Sequence, residues 1–155
     1  MPDLPGEGPG RSMVGMTVRR MLLRVLVAAG LGIDVYVHVS LADVFDVPAG
    51  GAITQGDLFL IEAGVAVLAA VLVLVWPSRV AYLLAFLVAA SAFGAVLLYR
   101  YVEVGSLGPL PRMYTPIWTS EKIISATAEG VTALLAAIGI FLPRPQRTER
   151  HDDEQ

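Results

Sequence analysis

Four apolar runs of about twenty residues each constrain this chain more than any other feature, because a helix rising ~1.5 Å per residue needs that length to cross the ~30 Å hydrocarbon core of a bilayer. They fall at about 21–41, 57–76, 79–100 and 120–142. In a chain of 155 residues little is left for a soluble domain. Lipid offers no water to satisfy backbone amides, so continuous apolar runs of this length predict helices. The expected fold class is all-α: an integral membrane, antiparallel four-transmembrane-helix bundle over residues 20–142. A hydrophobic share of 55% and a mean hydropathy of +0.67 agree with that class.

Local signals punctuate the runs. Residues 1–19 are rich in Pro and Gly and show no apolar period, which predicts a disordered cytoplasmic arm, with Met13 and Met16 as alternative starts. The first run follows Arg19 and Arg20 and contains Asp34, and its length favours a retained helix over a cleaved signal peptide. Thr54 stands three residues before Asp57 in capping-box spacing. Trp76-Pro77-Ser78-Arg79 stops the second helix, offers Ser78 as a cap for the third, and is short enough to make the two antiparallel neighbours. Between the third and fourth runs, Pro109, Pro111 and Pro116 stiffen a loop whose aromatic residues suit a membrane interface, so it is expected to lie as a lid. Pro143 ends the fourth helix, and residues 143–155 read as a disordered cytoplasmic tail. Small residues that permit close helix approach are expected at Ala90, Ser91, Gly94 and Ala95 on the third helix, and at Ala126, Gly130, Ala133 and Ala137 on the fourth.

Charge orients the bundle. Arg11, Arg19, Arg20, Arg24, Arg79, Arg144, Arg147 and Arg150 fall on one side, and Arg100, Arg112 and Lys122 on the other. The positive-inside rule then predicts both termini in the cytoplasm. With that orientation the outer half is net acidic, carrying Asp34, Asp43, Asp46, Asp57, Glu62, Glu103, Glu121 and Glu129.

Three of those acids, Asp34, Glu62 and Glu129, lie inside the apolar runs and not at their first turn, at depths where a charged side chain costs at least ~2.5–3.5 kcal/mol. Glu62 and Glu129 should therefore face the interior, be paired, or be protonated. Asp34 and His38 are spaced i, i+4 on one helix face, so the carboxylate can orient the imidazole. Ser125, Glu129 and Thr132 form a polar stripe on the fourth helix, and Arg100 ends the third at the same level. If the helices pack in sequence order, Asp34, His38, Glu62, Arg100 and Glu129 form a ligand or ion pocket under the two outer loops.

Three accounts of this cluster stay open. One is a structural network pairing Arg100 with Glu62 or Asp34. Another is a site for a proton, a cation or a polar head group, favoured by acidic focusing. The third is a metal site of Asp34, His38, Glu62 and Glu129, whose oxygen and imidazole donors suit manganese, iron or zinc. The paired Glu-x-x-His motifs of a di-iron bundle are missing.

Other chemistry lacks support. The absence of cysteine rules out disulfides, thiolate metal sites and CxxC redox chemistry. The mixed charges of the tail around His151 do not make a nucleic-acid patch, the Pro48-Ala49-Gly50-Gly51 stretch lacks a phosphate-loop context, and no nucleophile elbow is visible.

The stretch Asp57-Leu-Phe-Leu-Ile-Glu62-Ala-Gly64 resembles the DoxX-like family of small four-helix bacterial membrane proteins, as does Leu23-Arg24 leading into Gly30 and Gly32. That resemblance implies a bacterial inner-membrane, multi-pass location, a notable role for Glu62, and work beside redox or envelope proteins. The segment Pro111-Arg-Met-Tyr-Thr-Pro-Ile-Trp118 is more similar to four-span actinobacterial membrane proteins, a likeness that implies no activity. The leading expectation is a small non-enzymatic membrane protein, an accessory subunit of an envelope or respiratory assembly with an outward-facing acidic pocket. The alternatives are a proton- or cation-coupled transporter acting as a dimer, and a membrane oxidoreductase using a metal or quinone. The expected partners are the lipid bilayer and either a membrane protein or a second copy, and not nucleic acid.

Overall fold

Caps and stops divide the chain into helices much as its apolar runs predict. The computed structural model describes residues 9–142, and among them lie α1 (Pro9–Ala42), α2 (Gln55–Val75), α3 (Arg79–Tyr101) and α4 (Ser120–Phe141), with a single 3-10 turn, Asp43–Phe45, after α1. Each helix is long and apolar enough to cross a membrane. The chain is a multi-pass integral membrane protein.

Each later helix opens on a side-chain cap. The Thr54 hydroxyl accepts from the Asp57 amide at 3.0 Å while the Asp57 carboxylate accepts from the Thr54 amide at 2.9 Å, completing the capping box. This brings Gln55 and Gly56 into α2, two residues ahead of the expected start. Ser78 accepts from the Ala81 amide at 3.1 Å and Thr119 from the Lys122 amide at 3.3 Å, satisfying amide donors that a helix start leaves open. At the end of α2, Arg24 donates to the carbonyls of Val73 and Leu74, placing a cation where the helix dipole is negative.

The first helix differs from expectation. It begins at Pro9, so residues 9–19, expected within an irregular arm, are helical. Proline is tolerated in a first helical turn, and once the span supplies a nucleus each added residue gains a bond. The expected tail, 143–155, and residues 1–8 lie outside the described residues.

The helices pack antiparallel and in sequence order around the bundle: α1 beside α2 and α4, α3 beside α2 and α4, with α1 and α3 nearly diagonal. On α2, α3 and α4 the interior is mostly alanine, packed against Leu23, Val27 and Leu31 of α1. Ala63, Ala66 and Ala69 on α2, Ala81, Ala85, Ala89 and Ala92 on α3, and Ala126, Ala133 and Ala136 on α4 are buried, while large side chains such as Leu60, Leu68, Leu83 and Leu134 stand outside. Lipid is as apolar as any core, so burying leucine gains little there, and close backbone approach decides packing instead. On α3 the inward row is therefore not the expected one: Ser91, Gly94 and Ala95 are exposed. Two rows of small residues compete on that helix, and the longer one, continuous from Ala81 to Ala92, takes the interior.

Two glycines mark the closest helix approaches. A Cβ at Gly30 of α1 would lie 1.9 Å from the Thr132 hydroxyl of α4, and one at Gly139 would lie 2.3 Å from the Tyr82 ring.

The connections α1–α2 and α3–α4 meet at one end of the bundle, the loop end; the α2–α3 turn lies at the other, the turn end. Ala52 and Ile53 amides donate to the Pro109 carbonyl at 3.0 and 3.2 Å, and the Arg112 amide to the Ala49 carbonyl at 3.0 Å. Gly51 sits at this junction, where a Cβ would lie 2.5–2.7 Å from the backbone of residues 109–111. The two loops are thus joined through their main chains.

Candidate cation site

Asp34 and His38 lie in the last third of α1, Glu62 in the second turn of α2, and Glu129 in the third turn of α4. At ~1.5 Å per residue all four start roughly 6–14 Å from the loop-end terminus of their helix. Because α1 touches both α2 and α4, equal depth becomes proximity. Ligating atoms of Asp34, His38 and Glu129 lie within 4.8 Å of one another, and Glu62 is within electrostatic range of Asp34 and His38.

Burial is nearly complete at the centre: Asp34 and Glu129 each retain 1% exposure, as does Thr132 beside them. His38 Nδ1 lies 3.0 Å both from the Asp34 carbonyl oxygen and from Asp34 Oδ1. One ring nitrogen carries at most one proton, so the carbonyl and the carboxylate compete for it. Asp34 Oδ2 has no hydrogen-bond partner. Glu129 Oε1 accepts from the Ser125 hydroxyl at 2.5 Å, while its Oε2 is buried and unpartnered. The half-buried Glu62 likewise keeps Oε1 buried without a partner. Phe59 closes one side, its ring edge-on to His38 at 5.0 Å, and Phe45 packs on Phe59 at 5.5 Å.

Arg100 stands apart from this group. Its guanidinium lies over the rings of Tyr101 and Trp118, 5.0 and 5.7 Å from their centroids, and its Nε is buried without a hydrogen bond. The only ion pair among the described residues joins Asp34 to His38. The expected pairing of Arg100 with Glu62 or Asp34 is absent: α3 is diagonal to α1, which carries Asp34, and although α2 with Glu62 is its neighbour, the Tyr101 and Trp118 rings take the guanidinium.

The cluster therefore holds three carboxyl groups against one imidazole. Burying an uncompensated ion costs several kcal/mol, and two neighbouring carboxylates add repulsion. A proton or a metal cation would supply the missing charge. For a tetrahedral metal, donor distances near ~2.1 Å set the ligands ~3.4 Å apart, so donors spread over as much as 4.8 Å need to draw together to hold one ion. Two carboxylates and one imidazole suit manganese, iron or zinc. Sequence reading found Asp34, His38, Glu62 and Glu129 but missed Phe59, which looks like any apolar residue of a span, and Gly30, whose contact with Thr132 brings α1 and α4 together at this depth.

Among known proteins, no family model, curated sequence or solved structure matches the chain, and the expected resemblance to DoxX-like proteins is not shown by any of them.

Proposed function

We propose that this protein is a small ion-handling membrane protein which reversibly binds a cation, a proton or a divalent transition metal, at Asp34, His38 and Glu129, with Glu62 on the approach. The observation that carries this reading is the pair of buried, unpartnered carboxylate oxygens, Asp34 Oδ2 and Glu129 Oε2, in a cluster that no arginine or lysine among the described residues pairs with. A purely structural network would satisfy those atoms. The exposed small face of α3 at Ser91, Gly94 and Ala95 supports a neighbouring helix in the membrane, either a second copy or a larger envelope assembly.

The test is metal titration of the full chain in lipid nanodiscs, with element analysis after desalting and proton release followed in the same samples. The parent chain is expected to retain one equivalent of manganese, iron or zinc, or to exchange one proton more than Glu129→Gln over the same titration, and Glu129→Gln to retain no metal. A parent chain indistinguishable from Glu129→Gln in both measurements refutes the reading.

The same reading places both termini in the cytoplasm of a bacterial inner membrane and opens the loop end outward, on the arginine count of the sequence. The chain has no cysteine, so single cysteines report sidedness directly. Ser106→Cys, in an exposed loop position, should react with an impermeant maleimide on intact cells. Pro77→Cys should react only after lysis; it is preferable to a change at Ser78, which caps α3. Reversed labelling inverts the orientation.

A further inference from the structure

A second feature lies at the opposite end of the bundle and does not depend on the cation reading. An open cleft of about 580 Å³ runs between α1, the α2–α3 turn and the end of α4. Arg20, Arg24 and Arg79 line it, and among the described residues that line it none is acidic. Arg24 is fixed by its bonds to the last carbonyls of α2. Tyr82 forms the inner wall, its ring seated where Gly139 has no side chain. Met21 and Val25 form an apolar flank that continues onto the lipid-facing surface of α1.

We propose that this cleft binds the head group of an anionic phospholipid of the surrounding bilayer. Guanidinium groups donate paired N–H bonds to phosphate oxygens, and a volume of this size holds a glycerophosphate head group. The position explains the apolar flank: a head group at the arginines leaves its acyl chains along Met21 and Val25, within the span of α1. A water-soluble anion has no use for that flank. Basic pockets between transmembrane helices bind anionic head groups by this combination of charge and apolar wall.

The test is native mass spectrometry of the full chain released from micelles containing equal amounts of phosphatidylglycerol and phosphatidylcholine with the same acyl chains. Each arginine near a lipid surface is worth about fivefold in affinity. Phosphatidylglycerol should be retained at least about tenfold over phosphatidylcholine. The double variant Arg20→Ala, Arg79→Ala should lose the preference, and Met21→Glu, which keeps every arginine but adds a negative charge to the cleft, should lose it too. Equal retention of the two lipids by the parent chain overturns the proposal, as does a preference that survives in both variants. A preference emerging only when Asp152→Asn, Asp153→Asn and Glu154→Gln neutralise the tail also overturns it, assigning the cleft to the chain's own acidic end.

Discussion

Glu129→Gln is expected to make the cation-free protein more stable and, in the same molecule, to abolish the stabilisation that a bound cation gives the parent chain. The two effects have one cause. In the parent, Glu129 brings a second buried carboxylate up to Asp34, and its Oε2 finds no donor. A glutamine keeps the bond from Ser125 through its amide oxygen and removes the charge. Relief of an uncompensated buried charge is worth about 1–3 kcal/mol. A cation that binds only the folded parent adds RT ln(1 + [L]/Kd), about 2.7 kcal/mol at a hundredfold excess over Kd. Thermal unfolding in detergent, with and without the metal, should therefore rank the variant above the parent without metal and level with or below it in excess metal. Asp46→Asn serves as the comparison, since Asp46 accepts a bond from Thr54 in an exposed loop; it should change neither ranking. If Glu129→Gln destabilises the metal-free protein, the cluster is a satisfied structural element.

Gly30→Ala should be the most damaging single methyl addition near the site. The new carbon would lie 1.9 Å from the Thr132 hydroxyl and 3.2 Å from its Cβ, and Thr132 is itself buried on α4. Rotation of Thr132 about χ1 can move its hydroxyl but not its Cβ, which stays 3.2 Å from the new carbon, so α1 and α4 must give way there. Overpacking of this kind costs about 1–3 kcal/mol. Gly30 is one turn before Asp34 and Thr132 is three residues after Glu129, so the separation also pulls the two carboxylates apart. Cation affinity should fall along with thermal stability, with no ligand altered. Gly32→Ala, two residues on, meets nothing within 4 Å and should be neutral in both assays. Equal behaviour of the two variants would show that α1 and α4 do not meet at Gly30.

Much of this architecture was legible in the sequence because its causes are local. Run length fixed the spans, and the Thr54, Ser78 and Pro77 signals act within one helical turn. The spacing of Asp34 and His38 put them on one face, and the expense of charge in lipid turned Glu129 inward. What escaped depends on relations between helices. Whether Arg100 meets an acid depends on α3 being diagonal to α1 and on the Tyr101 and Trp118 rings taking the guanidinium, which no spacing along the chain reveals. Which of two small rows on α3 faces inward depends on the shapes of α2 and α4. The helical start at Pro9 was obscured because glycine and proline suggest irregular chain until a long neighbouring helix extends into them.

The main-chain junction between the two loops carries a consequence for how such a protein can change over generations. Its bonds run from the amides of Ala52, Ile53 and Arg112 to the carbonyls of Pro109 and Ala49, so side-chain identity hardly enters. Substitutions across these loops can accumulate while the fastening persists, provided Gly51 keeps its bare Cα against the backbone of residues 109–111. Apart from side chains that reach down, such as Phe45, Thr54, Trp118 and Thr119, surface chemistry at this end is thereby uncoupled from the geometry beneath it. Descendants of one ancestor can present unrelated loop sequences to their surroundings and still hold Asp34, His38 and Glu129 in the same arrangement.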